Sequence, residues 1–250
     1  IKGISYYLPE NLVTNESLLI DFPEWSVEKV ATKIGVSERH IASGEETSAD
    51  LAIEAARKLF VEHSVNPAEI DFILLCTQSP DYFLPTSACL IQERLGIPVR
   101  SGALDFNLGC SGFVYGLALA KGLILGGVAR NVLLLTSETY SKFIHFRDKS
   151  NRTIFGDAAA ATLISDNGFA EILNFSLGTD GKGADKLMVK TGGLRFPQEE
   201  NDLHFDESGN PLSSDHLFMD GAEIFNFTLE MVPELTIDTL NANFLEKDEI

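Results

Sequence analysis

Ala103 to Ala129 reads ALDFNLGCSGFVYGLALAKGLILGGVA. Ala103 to Leu108 predicts a short buried strand, Gly109 a tight joint, and Ser111 onward a helix of small and apolar residues. Cys110 falls at the joint, beside the helix N-terminus, where unpaired N–H groups and the helix dipole favour a thiolate over a thiol. A cysteine so placed is a candidate nucleophile. Gly109 and Gly112 on either side would let a carbonyl substrate, and its developing oxyanion, approach the backbone N–H of Cys110. The alternative is a small core residue, since free cysteine is among the most buried types. The run Gly112 to Ala129 is not a membrane span: Lys121 breaks it, it is Gly-rich, and it falls short of about 20 apolar residues. A helix buried between two sheets fits it better.

Working outward, Gly3 to Tyr7 predicts a strand ended by Pro9, Asn15 a helix N-cap, and Ser26 to Ile34 a short amphipathic helix. Thr47 to His63 carries Leu51, Ala55 and Leu59 at helical spacing, and Asn66-Pro67 ends it before a strand from Asp71 to Cys76. A helix follows from Thr86 to Leu95, with Cys89 on a packed face. Next come the 103–108 strand, placed centrally, its helix, and a strand from Asn131 to Thr136. Gly156-Asp157 then open an Ala-rich strand. Parallel strands joined by helices, apolar along most of their length, imply an α/β sheet covered on both faces.

From Ala170 the pattern begins again with a strand from Glu171 to Leu177. The segment LGTDGKGADKLM lacks GxxxxGK[ST] and reads as a turn; Gly192 to Ser214 reads as a long polar loop. Asp220 to Asn243 predicts a helix closing in FLEKDEI, much as the earlier helix closes in VNPAEI, so the two look like copies of one unit. In the first copy Glu69-Ile70 lead into a buried strand; in the second, the corresponding strand is expected beyond Glu249-Ile250. The organisation expected is a first half over 1–168 and the incomplete start of a second over 169–250.

The formal net charge of -18 excludes a phosphate-binding nucleic-acid face, which needs clustered Lys and Arg. The locally basic stretch is Thr139 to Thr153, with His145, Arg147, Lys149 and Arg152. Cys76, Cys89 and Cys110 neither pair evenly nor fall at metal spacing, and no leader opens the chain, which suits the cytoplasm. The five histidines form no HExxH-type pair, so no metal site is expected.

Strings matching in order give a resemblance: GISYYLPENLVTN from Gly3, GVSERHIA from Gly35, DFNLGCSGFVYGL from Asp105 and FGDAAAATLI from Phe155. They resemble the β-ketoacyl-acyl-carrier-protein synthase III family of the thiolase superfamily, over the N-terminal three quarters, roughly, of a typical member. The resemblance implies a layered α-β-α-β-α fold, truncated in its second half. It implies an acyltransferase in fatty acid or related biosynthesis, with Cys110 acylated by an acyl-CoA before a decarboxylating Claisen condensation with malonyl-acyl carrier protein. Coenzyme A is part of the substrate, and no cofactor is implied.

Trp25, the only Trp, matches a residue that stacks on the adenine of coenzyme A. Packing at a helix start is its plainer role. Ser37 replaces a basic residue that helps hold the nucleotide, while Arg39 remains. The family's nucleotide-contacting Arg falls on Lys149, with Arg152 close by; a solvated loop is the alternative for both. Leu84 stands where a residue reaches across a homodimer interface into the partner's acyl pocket. The dimer is expected through the elements near Leu84 and the Asn131 strand. The family's His and a further Asn lie beyond Ile250, so the 250 residues alone are expected not to condense. Two other classes stay open: a non-catalytic dimerising or interaction module of the same fold, and a cysteine hydrolase or thiol redox protein, against which no CxxC exists.

Overall fold

Apolar runs pair into a sheet where each finds a neighbour for its backbone groups, and segments without one stay irregular. The computed structural model of the chain describes residues 1–207 and 209–249, leaving Ser208 and Ile250 outside. In chain order the elements are strands β1 (Gly3–Tyr7) and β2 (Asn11–Thr14), helices α1 (Asn15–Leu18) and α2 (Val27–Ile34), β3 (Glu38–Ile41), α3 (Ser48–Glu62), β4 (Phe72–Cys76), α4 (Ser87–Arg94) and β5 (Gly102–Phe106). Then follow α5 (Gly112–Leu125), β6 (Asn131–Glu138), α6 (Lys149–Arg152) and β7 (Ala158–Ser165). The two-residue strands β8 (Leu187–Met188), β9 (His204–Phe205), β10 (Pro211–Leu212) and β11 (Phe218–Met219) precede α7 (Gly221–Ala242). These elements form two compact units, one of Ile1–Leu18, Gly35–Ser141 and Phe155–Ile172, the other of Leu19–Ile34, Lys142–Ile154 and the chain from Leu173 onward.

The first unit holds a five-stranded sheet in the order β1-β7-β6-β4-β5. β4 runs parallel to both neighbours, with Cys76 opposite Phe106 on β5 and Thr136 on β6. Two expectations change here. β7 is antiparallel to β6, and β1 to β7, so the sheet is mixed. β5 lies at the edge, with Leu104 exposed, whereas β6 lies inside. Strand order is decided by pairing between distant segments, which apolar runs do not encode.

Alternating side chains cover both faces, as the two-residue period of a strand requires. Ile73, Leu75, Leu133 and Leu135 point to the face carrying α3 and α4, while Leu74, Val132, Leu134 and Ile164 point to the face carrying α5. Thr47 caps α3 in a capping box with Asp50, and Arg94 of α4 pairs with Asp50 at 2.7 Å, tying the two helices together. α5 is less enclosed than expected: its buried residues are Gly112, Gly116 and Ala120, a stripe four residues apart along the helix, while Phe113, Val114 and Leu119 are exposed. A Cβ on Gly116 would press on Leu134 and Phe106, so the small residues let the helix backbone lie close to the sheet.

Two local expectations shift. Thr14 caps α1, its Oγ1 accepting from Ser17 N, while Asn15 lies inside the helix with its Nδ2 donating to Val36 O. The expected strand Glu171–Leu177 does not form; it finds no ladder partner among the described residues.

In the second unit β8 pairs with β11 and β9 with β10, the latter pair falling inside the expected 192–214 loop. LGTDGKGADKLM is the expected turn, a 3₁₀ segment at Gly181–Lys186 with Asp180 accepting from Lys182 N. His145 is buried against His216 at 4.9 Å, and Arg147 stacks over Phe205 at 4.5 Å. Asp220 caps α7, which contains Pro233 and has no buried residue. No helix among the described residues is long and apolar enough to cross a membrane, and no group of three metal-binding side chains gathers among them.

Candidate active site

The C-terminal ends of the adjacent parallel strands β5, β4 and β6 converge, and in an open α/β sheet that end is where chemistry gathers. Cys110 follows β5, Gln78 follows β4, and Glu138 ends β6. Cys110 occupies the turn before α5: Gly112 N donates to Gly109 O at 2.8 Å and Tyr115 N to Ser111 O at 3.1 Å. Its residue is exposed, Cys89 is half-buried, and Cys76 is buried. Burial pushes the Cys76 thiol up to about 11, helped by the charge of Glu138, so Cys76 is no nucleophile at neutral pH. It fills space instead. A Cβ on Gly112 would run into Cys76 Sγ, and that sulfur donates to Leu108 O at 3.1 Å.

Tyr140 faces the same region, its ring 5.1 Å from that of Phe155. Burial raises its phenol, and the charges of Glu138 and Cys110 raise it further. A cavity of about 540 Å³ lies towards the other end of α5, lined by Lys121, Ile124, Leu125 and the 164–172 segment, and Cys110 is not part of its wall.

Three candidate nucleotide residues come together in the second unit from sites more than a hundred residues apart. Lys149 Nζ pairs with Glu24 Oε1 at 3.2 Å, and Arg152 pairs with Asp21 at 2.9 Å while stacking over Phe22. Trp25, half-buried, follows directly and carries Lys29 Nζ 4.8 Å from its ring centroid. Arg39 lies in the first unit at 3 % exposure, its guanidinium donating to Asn15 Oδ1 and Val36 O. Burial lowers its pKa, and this inward setting differs from a contact offered to a ligand. Leu84 stands at the opposite extreme, 82 % exposed beside Phe83 at 81 %, in the loop before α4. Asp105 of β5 fastens the start of α4 by accepting from Ser87 N and Ala88 N at 2.6 and 2.8 Å.

Glu138, Gln78, Asp21 and Glu24 escaped the sequence reading. A carboxylate closing a buried parallel strand was the available signal for the first, because an unpaired charge is costly to bury. Nothing in the sequence around Asp21 and Glu24 marks them as partners of Lys149 and Arg152, more than a hundred residues away.

The family model of 3-oxoacyl-[acyl-carrier-protein] synthase III matches residues 104–181, a span that begins within β5 and holds Cys110 and α5. The β-ketoacyl-[acyl-carrier-protein] synthase III of Caldanaerobacter subterraneus subsp. tengcongensis is 34% identical over 259 residues, covering 100% of this chain and 73% of that protein. A crystal structure of a 3-oxoacyl-(acyl-carrier-protein) synthase III superposes with a TM-score of 0.96 at 51% identity, covering 100% of this chain and 75% of the other. That of a 3-oxoacyl-(acyl-carrier protein) synthase from Burkholderia xenovorans LB400 gives 0.86 at 37%, over 99% and 70%. With relatives at 34% identity and a solved structure at 51% matched along the whole of these residues, the chain belongs to the β-ketoacyl-acyl-carrier-protein synthase III family of thiolase-fold condensing enzymes.

Proposed function

We propose that Cys110 is the acyl-accepting nucleophile of a decarboxylating condensation between an acyl-CoA primer and malonyl-acyl carrier protein, in fatty acid or related biosynthesis. The observation that carries this is the exposed sulfur-bearing residue at the turn into α5, with a glycine on each side of the approach. In the first half-reaction the Cys110 sulfur attacks the thioester carbonyl, the C–S bond to coenzyme A breaks, and the coenzyme A thiolate leaves with its electron pair and takes up a proton. The backbone N–H of Cys110 faces the oxygen on which charge develops. No cofactor is called for, because the coenzyme A thioester is itself a substrate.

Trp25, Lys149 and Arg152 form the nucleotide end of this reading, with adenine against the indole and phosphates exchanging with Asp21 and Glu24 for the two cations. Arg39 supports the reading from the interior, by holding Asn15 and Val36 in place. Acyl transfer to Cys110 is the step these residues supply. Incubation with acetyl-CoA followed by peptide-resolved mass spectrometry is expected to place the acetyl group on Cys110 and not on Cys76, with coenzyme A quenching the fluorescence of the single Trp. Acetylation equally distributed over the cysteines, or none on Cys110, rejects the assignment.

A homodimer completes the proposal. β6 has a neighbour on each side, so it cannot meet a partner; β5, the edge strand next to α4, can, and Leu104 on it is exposed. The Phe83–Leu84 loop beside α4 would then reach into the second subunit. Sedimentation should give a dimer for the unmodified chain and a monomer for Leu104→Asp; a monomeric parent contradicts this. Free cysteines, with no disulfide among the described residues, support a reducing, cytoplasmic setting.

A further inference from the structure

Glu138 has no part in the chemistry described above, yet its carboxylate joins two of the three strand ends at the site. Oε1 accepts from Gln78 N at 2.7 Å and Oε2 from Ser79 Oγ at 2.8 Å, while Thr139 N donates to the same Ser79 oxygen at 3.0 Å. The exit of β4 is thereby fastened to the end of β6. On its other side that exit meets the run leading into Cys110. Thr77 N donates to Phe106 O at 3.2 Å, Cys76 Sγ to Leu108 O at 3.1 Å, and the Gln78 side chain lies over Gly109, where a Cβ would stand 2.8 Å from Gln78 Oε1.

We propose that Glu138 is a positioning residue for Cys110: it holds Gln78 and Ser79, and the Gln78 side chain seats on Gly109 to set the turn that presents the sulfur. This rests on Cys110 being the nucleophile. Burial pushes the Glu138 carboxyl up, against the donors from Gln78, Ser79 and Thr77, so the group is kept at some cost to the fold. A carboxylate that merely closed a strand would have no reason to reach across to the segment packed on the reactive turn. Acyl transfer needs the sulfur aligned with a bound carbonyl, and displacement by about 1 Å is enough to slow such a step about a hundredfold, whereas alkylation by a small reagent needs only access.

The test measures acetyl transfer from acetyl-CoA to Cys110 in the full chain, with iodoacetamide alkylation of the same residue as the access control. Glu138→Ala is expected to slow acetylation about tenfold or more while leaving alkylation within about twofold. Glu138→Gln keeps an oxygen for the Gln78 N–H and is expected to restore acetylation to within about twofold of the parent. Gln78→Ala removes only the side chain over Gly109 and is expected to slow acetylation about threefold at an unchanged melting temperature. Acetylation of Glu138→Ala at the parent rate overturns the proposal, as does Glu138→Gln behaving like Glu138→Ala. Should Glu138→Ala not fold, an unaltered rate in Gln78→Ala overturns it instead. Failure of the unsubstituted chain to acetylate at Cys110 removes the nucleophile assignment itself, and this inference with it.

Discussion

Helices α3 and α7 begin and end alike and find opposite surroundings. Each opens on a side-chain cap, Thr47 accepting from Asp50 N and Asp220 from Glu223 N, and each is followed by a 3₁₀ turn, Pro67–Glu69 and Lys247–Glu249. α3 buries Leu51, Ala52, Ala55, Ala56 and Leu59 against the sheet. α7 buries nothing: Phe225 is 61 % exposed, Leu229 59 % and Ile237 58 %. Caps and turns depend on neighbours three or four residues away, so both helices can form them unaided. Burial depends on a strand brought from elsewhere in the chain. The difference teaches that an apolar helix face records a need for cover without saying what meets it, and that the two units draw on different sources of stability.

The comparison is sharpest where cover is complete. Leu59→Ala in α3 should cost about 2–5 kcal/mol, because the cavity closes only partly under the sheet, and urea denaturation will register it. A loss below about 1 kcal/mol would mean that α3 is no better packed than α7.

Acidity should separate the units next, in opposite directions. In the first, burial raises the Glu138 carboxyl above its ordinary value of 4.5, so its contribution to stability is complete below that pH and is lost as pH rises through the raised value. In the second, burial, then His216 and Arg147, lower His145 from 6.5; its contribution is present above 6.5 and is lost as pH falls through the depressed value. Hydrogen exchange followed peptide by peptide between pH 5 and 7.5, corrected for intrinsic rates, should show β6 opening more readily as pH rises and the 143–148 segment as pH falls. Glu138→Gln should flatten the first response and leave the second. Parallel responses in both segments would show that the two groups do not act locally.

The smallest effect belongs to the bare helix. Leu229→Ala should change stability by no more than about 0.5 kcal/mol in this chain, apart from helix propensity, since more than half of that residue is exposed. A loss like that of Leu59→Ala would show α7 packed in solution.

Much of this was legible beforehand, and what was missed shares one physical cause. The α3 helix, the β1 and β4 strands, the β5–α5 turn and Cys110 follow from spacing, Gly and Pro punctuation, and runs of Leu and Ile. The antiparallel direction of β7, the edge place of β5 and the absence of a strand at Glu171–Leu177 depend on which distant backbone lies alongside. The same holds around the site. Trp25, Lys149 and Arg152 were named from local strings, but Asp21 and Glu24 became their partners only once the chain had folded. Arg39 lies between Glu38 and His40 in the sequence, and its inward setting depends on Asn15, 24 residues away.

Gly112 and Gly116 bring α5 so near the sheet that Cys76, Leu134 and Phe106 occupy the room a side chain at either position would take. Over evolutionary time this makes bulk on the helix and bulk on the strands a shared quantity. A lineage that enlarges residue 116 must trim residue 134, or the whole helix rides outward and carries residue 110 with it. Exchanges at these packed positions are therefore a route to shift the β5–α5 turn by fractions of an ångström, and paired substitutions there are where such drift should leave its trace.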